Sequence, residues 1–254
     1  MIPIDATTYR TATAYNKRVR FLVLHYTAID FATSIRALTR GASSAHYLIP
    51  DPDDASYRAA GHCQPVIFNL VDEADRAWHA GVSQWAGRSN LNDSAIGIEI
   101  VNLARDEGGV FTFPDYHPWQ IDALKQLALD ILARYPDITP RQVVGHSDVS
   151  PGRKSDPGAR FPWRTLYEAG VGAWFDEGTR AAYADRFHNQ GLPPRDAVIR
   201  AFMQYGYGVE GTLDERAFSA LVRAFQLHFR SERYDGVLDV ETCARLYALN
   251  EKYG

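Results

Sequence analysis

The sequence predicts an α/β fold, a mixed central β-sheet flanked by helices, with a small all-α C-terminal domain. Three observations lead there. Short runs rich in β-branched and aromatic residues alternate with helical patterns in the first part of the chain; one long amphipathic stripe separates the last two of those runs; and the final residues, 191–254, carry helical periodicity alone.

The expected strands are "RFLVLHY" (20–26), "AHYLI" (45–49), "VIFNLV" (66–71), "IGIEIVN" (96–102) and "QVVGH" (142–146), each bounded by turn formers. A short helical pattern, "TSIRALTRG", follows the first strand and ends at Gly41, suited to a helix C-terminus. Ile121, Leu124, Leu127, Ala128, Ile131, Leu132 and Tyr135 recur at three- and four-residue steps, as in a helix covering one sheet face, and Pro136 ends it. Residues 145–158, "GHSDVSPGRKSDPG", are too rich in Gly, Pro and Ser for a helix and read as an irregular loop. The pattern weakens over 176–190 before "GLPPR", which predicts a linker there, a first domain over 1–175 and a helical domain over 191–254. The latter holds a faint repeat, "GTLDERAFSAL" and "GVLDVETCARL", in which Asp214 and Asp239 are suited to cap the following helices.

Composition excludes several function classes. A net charge of −4 and a pI near 6.1 supply no broad positive field for nucleic acid. No apolar run approaches the roughly 18 residues of a transmembrane helix, and "MIPIDATTYR" has neither the basic nor the apolar region of a secretory leader. Cys63 and Cys243 lie far apart and read as separate thiols.

Among the eight histidines, His25 and His146 stand out because each ends an apolar strand, where a side chain can leave the core and face a cleft. With a loop carboxylate they make a three-ligand set of the kind that leaves one tetrahedral position of a catalytic zinc open; Asp156 is the candidate, and Asp148 is read as a cap or brace of the loop, with an exchange of roles between the two as the alternative. Glu99 interrupts the apolar run "IGIEIVN", where a carboxylate is costly unless it faces a wet cleft, and is the candidate general base. Lys154 is the candidate cation for a developing oxyanion.

Five ordered blocks, "LVLHYTA", "SAHYLIP", "AWHAGVSQW", "LNDSAIGIEIVN" and "VVGHSDVSPGRKSDPGARFPW", spanning about residues 18–167, resemble the zinc-dependent N-acetylmuramoyl-L-alanine amidases of the AmpD type. The resemblance implies Zn²⁺ ligands His25, His146 and Asp156, a catalytic base at Glu99 and an oxyanion stabiliser at Lys154, with Trp78 and His79 lining the cleft as substrate-binding residues. Residues 191–254 resemble a three-helix peptidoglycan-binding module, although the usual "DGxFGxxT" is "DGVLDVET" here, with Asp239 at the second glycine position. The partners implied are the peptidoglycan sacculus and muropeptides, with a homo-oligomer possible. Action in the bacterial envelope or periplasm is expected from substrate and module despite the absent leader; cytoplasmic recycling of anhydro-muropeptides is the alternative. A non-catalytic peptidoglycan receptor and a zinc peptidase cutting within the stem are the rival functions.

Overall fold

A computed structural model describes residues 2–11 and 13–254. In chain order the elements are β1 (Phe21–Tyr26), α1 (Phe31–Arg40), β2 (Tyr47–Ile49), α2 (Ala55–Ala59), β3 (Phe68–Asn69), β4 (Gln84–Trp85), β5 (Arg88–Ser89), β6 (Ala95–Ile100), β7 (Arg105–Glu107), β8 (Val110–Thr112), α3 (Pro118–Arg134), β9 (Val143–Gly145), α4 (His146–Val149), α5 (Trp163–Glu168), α6 (Glu177–Gln190), α7 (Arg195–Tyr205), α8 (Glu215–Phe229) and α9 (Val240–Tyr253). The main sheet runs β3-β2-β6-β1-β9. Its β2, β6, β1 and β9 pair parallel, and β3 is antiparallel at one edge.

Alternation along the strands decides what each face does. Leu22 and Leu24 of β1 and Ile96, Ile98 and Ile100 of β6 pack with Leu124, Ala128 and Ile131 of α3. Phe21 and Val23 turn the other way, into a core shared with Trp85, Val144, Phe202 and Phe225. His25 and Glu99 follow Val23 and Gly97 on that second face, and they are register partners across β1 and β6. Parallel strands deliver their carboxyl ends to one edge, the usual place for a site in open α/β sheets.

The expected fold class is the observed one, with local differences. The third strand shrinks to β3 because only Tyr47↔Asn69 and Leu48↔Phe68 pair. The first helix begins at Phe31, capped by Asp30, whose carboxylate accepts the Thr33 N–H at 2.8 Å. The long helix begins at Pro118, one residue after His117, whose Nδ1 accepts the Trp119 N–H at 3.1 Å. Residues 146–149, read as loop, form one helical turn.

The largest difference lies at 176–190. This expected linker is a 14-residue helix, α6, capped by Asp176 and packed on α9 through Arg180–Glu241 at 2.9 Å and the Phe187 and Tyr247 rings at 5.2 Å. Its charged residues are the exposed face of an amphipathic helix, so weak apolar periodicity was mistaken for a break. Asp214 and Asp239 do cap α8 and α9, accepting N–H groups of Ala217 at 2.7 Å and Thr242 at 2.9 Å.

Trp85 joins the sheet to the C-terminal helices. It is 1% exposed, its indole N–H donates to Arg141 C=O at 2.9 Å, and its ring meets Tyr205 and Tyr207 edge-on at 5.9 and 4.7 Å. Gly206 has φ of 143°, and a Cβ there would lie 2.8 Å from the indole, so glycine is required. Trp85→Ala is expected to cost about 3–5 kcal/mol, read from the urea midpoint of the metal-free protein.

Candidate functional site

Three strand and loop ends bring the ligand candidates together. His25 is the penultimate residue of β1, His146 follows β9 directly, and Asp156 comes from the loop after α4. All are buried, at 1, 3 and 5% exposure. His25 Nδ1 lies 3.0 Å from His146 Nδ1 and 2.9 Å from Asp156 Oδ2, and His146 Nδ1 lies 3.0 Å from that same oxygen. Asp148 is excluded as the third ligand, because its carboxylate is committed elsewhere.

The outer edges of both imidazoles are engaged as well. His146 Nε2 lies 2.9 Å from the Ala80 carbonyl oxygen, which can only accept, and 3.1 Å from the Arg153 guanidinium, which can only donate; when Nδ1 is a ligand, Nε2 carries the proton and donates to Ala80 C=O. His25 Nε2 lies 3.0 Å from His79 Nδ1 and donates there when its own Nδ1 is a ligand. Burial chiefly, then the neighbouring His146, lowers the His25 pKa to about 4, keeping the ring neutral. Burial alone would raise the Asp156 pKa, but His146 and His25 outweigh it and hold the group well below the carboxylate range. Neutral imidazoles and an ionised carboxylate are the states that bind metal. Ligand atoms of a tetrahedral ion at about 2.0–2.1 Å stand roughly 3.3 Å apart, so the observed triangle fits such an ion after slight opening.

Glu99 stands beside this cluster through the His25↔Glu99 register. Its Oε2 is buried with no hydrogen-bond partner among the described residues. Burial, then the Asp156 charge, pushes its pKa well above the ordinary value, and Lys154 opposes them. The Lys154 side chain is exposed, and its charge is felt by both His25 and Glu99. Trp78 is 58% exposed and offers an open ring face.

His79 does not share that position, which corrects the sequence expectation that it lines the cleft. It is buried behind His25, its ring against Gly97, where a Cβ would fall 2.4 Å from the imidazole. Asn92 fixes this turn by accepting the His79 and Ala80 N–H groups at 3.0 and 2.8 Å.

Asp148 braces the loop that follows His146, the role the sequence offered for it beside metal binding, and the structure supplies the partners. Asp148 is fully buried and accepts three donors: Gly145 N–H at 2.8 Å, His228 Nδ1–H at 2.7 Å and the Tyr207 hydroxyl at 2.7 Å. Burial, then Asp148, raises the Tyr207 pKa well above its usual value and keeps the hydroxyl a donor. His228 stacks on Trp163 with ring centroids 3.6 Å apart. Two residues from the C-terminal helical part therefore hold the segment that presents His146. His228 belongs to no motif in the sequence, and nothing there pairs it with Asp148.

Residues 15–159 match the family model Amidase_2, N-acetylmuramoyl-L-alanine amidase. The chain is 42% identical to the Escherichia coli K12 N-acetylmuramoyl-L-alanine amidase AmiD over 97% of this chain and 88% of the relative. It superposes on Pseudomonas aeruginosa AmpDh3, in complex with anhydromuramic pentapeptide, with TM-score 0.98 and 66% identity, covering 100% of this chain and 99% of the other. Against E. coli AmiD bound to anhydro-N-acetylmuramic acid-L-Ala-D-gamma-Glu-L-Lys, the TM-score is 0.85 at 41% identity, over 97% and 94% of the two chains.

Asp148→Ala strands three buried donors and is expected to cost about 3–5 kcal/mol. Tyr207→Phe, which removes one donor cleanly, is expected to cost about 1 kcal/mol and to weaken divalent-metal affinity roughly 10-fold, measured by denaturation and calorimetry. Because the folded-state pKa of Glu99 lies above its unfolded value, its ionisation removes stability as pH climbs from about 4.5. Chelated Glu99→Gln is therefore expected to melt above the wild-type chain at pH 8, the difference vanishing near pH 4.

Proposed function

The chain belongs to the N-acetylmuramoyl-L-alanine amidase family and is an amidase, and from that premise we propose that it is a zinc enzyme cleaving the amide between the lactyl group of N-acetylmuramic acid and L-alanine of the stem peptide. The observation that carries this reading is the buried His25–His146–Asp156 triangle beside a buried Glu99 oxygen with no partner. In the proposed roles His25, His146 and Asp156 hold Zn²⁺. The ion, when bound, supplies a Lewis acid that polarises the amide carbonyl and acidifies water.

The remaining work falls to the chain. Glu99 accepts the proton of the attacking water, and its raised pKa makes it the stronger proton acceptor. It then returns that proton to the amine of L-alanine as the C–N bond breaks. The Lys154 ammonium faces the developing oxyanion, and its mobility as an exposed side chain lets it follow the reacting oxygen. His79 and Ala80 C=O hold the two imidazoles in their ligand tautomers. Trp78 offers its exposed ring to the muramoyl moiety.

Residues 1–175 carry the chemistry in this reading, and 191–254 form a peptidoglycan-binding module that raises the local concentration of a polymeric substrate. Such a substrate puts the enzyme's action in the bacterial envelope. Among the described residues no helix is long and apolar enough to cross a membrane.

Mass analysis of digested sacculi and anhydro-muropeptides tests the reaction: stems with a free N-terminal L-alanine are expected, whereas shortened stems would make the chain a peptidase and untouched material a receptor. Glu99→Ala is expected to keep zinc and lose about 10²- to 10⁴-fold in turnover. His25→Ala is expected to lose the metal, read by elemental analysis.

A further inference from the structure

A cavity of about 440 Å³ opens between the β7–β8 hairpin, the loop 152–155 and one face of α8. It begins at Lys154 and Ser155, beside the metal cluster, and continues along α8 past Arg216, Ala220 and Arg223. Arg216 and Arg223 are seven residues apart, two helical turns, so they stand on one face about 10 Å from each other. The catalytic part and the C-terminal helices each supply one wall.

The charge in this groove is unbalanced. Among the described residues the Arg216 and Lys154 side chains make no hydrogen bond or ion pair. Arg223 is held in place instead: its guanidinium donates to the Tyr234 and Asp235 carbonyl oxygens at 3.2 and 3.3 Å and lies over the Phe111 ring at 5.6 Å. One acid, Asp106, reaches the lining, and its Oδ1 is occupied by the Gly109 N–H at 2.8 Å. Uncommitted cations gathered in a concave wall attract anions, and a guanidinium with its orientation already fixed loses little entropy on binding one.

We propose that this groove is a carboxylate subsite for the stem peptide, with Arg216 and Arg223 of the C-terminal helical part binding acidic groups beyond the cleaved L-alanine. The proposal rests on the amidase reading for the direction of the substrate. A D-Glu linked through its γ-carboxyl keeps its α-carboxylate free. At about 3.5 Å per extended residue, that group lies roughly 7 Å from the scissile bond, and the loop carrying Lys154 already touches α8, since a Cβ on Gly152 would fall 2.9 Å from the Ala220 Cβ. The C-terminal part would then select substrates as well as tether the enzyme.

The test uses the full-length zinc-loaded enzyme, Arg216→Gln/Arg223→Gln and Arg216→Lys/Arg223→Lys, with two anhydromuramoyl peptides differing only in a free or amidated α-carboxyl at D-Glu. For the wild type, KM is expected to be lower for the acid than for the amide, and to rise with salt. In the Gln pair the acid's KM is expected to rise about 10- to 100-fold, the worth of one or two charged hydrogen bonds, with kcat held, while the Lys pair recovers part of the preference. An unchanged acid-to-amide ratio in the Gln pair would overturn the subsite. Calorimetry with free L-Ala-D-γ-Glu-L-Lys supplies a readout independent of cleavage: wild-type binding lost in the Gln pair supports the groove even if neither substrate is cut, a result that would instead sink the amidase reading. Equal binding by both proteins, or none by the wild type, rejects the groove.

Discussion

The parallel registration of β1 with β6 and β9 is the constraint on which the rest of the structure depends. It sets His25 opposite Glu99 and brings Gly145, the residue before His146, opposite Leu24. A slip of one residue in β1 would turn His25 into the α3 core and Leu24 toward the cleft. The apolar pattern forbids that slip, since Leu22, Leu24, Ile96, Ile98 and Ile100 are all buried against α3. Burial of the strands thus fixes the polar ends.

Placing two imidazoles and two carboxylates at such an edge opposes stability. The opposite shifts of the two acids divide their roles: Asp156 is held ionised by the histidines, while Glu99, with no partner for one oxygen, holds its proton more tightly. A ligand must stay charged and a general base must pick up a proton, so the same buried pocket serves both needs through different neighbours. Gly97 belongs to this arrangement. Its missing side chain lets His79 sit edge-on behind His25, within hydrogen-bond reach of its outer nitrogen.

The C-terminal helices contribute to the site structurally. Tyr207 and His228 converge on Asp148, Trp163 stacks on His228, and Trp85 closes the seam with Tyr205 and Tyr207. The core is accordingly continuous from Phe21 and Val23 of the sheet to Phe202 and Phe225 of α7 and α8. The C-terminal helices thus hold in place the segment that presents His146.

The sequence by itself determined the strands, the long helix, the capping aspartates 214 and 239, and the polar residues at strand ends, because these are written in local periodicity and in residues out of keeping with their neighbours. Glu99 was visible for that reason: a charge inside an apolar strand is conspicuous. Only the tertiary structure decided the rest. His79 lies behind His25, residues 177–190 form the helix α6, and Asp148, offered by the sequence as a brace without a partner, meets His228, 80 residues away. These outcomes depend on which side chains meet across long stretches of chain, and no local pattern records the partner a buried polar atom will find.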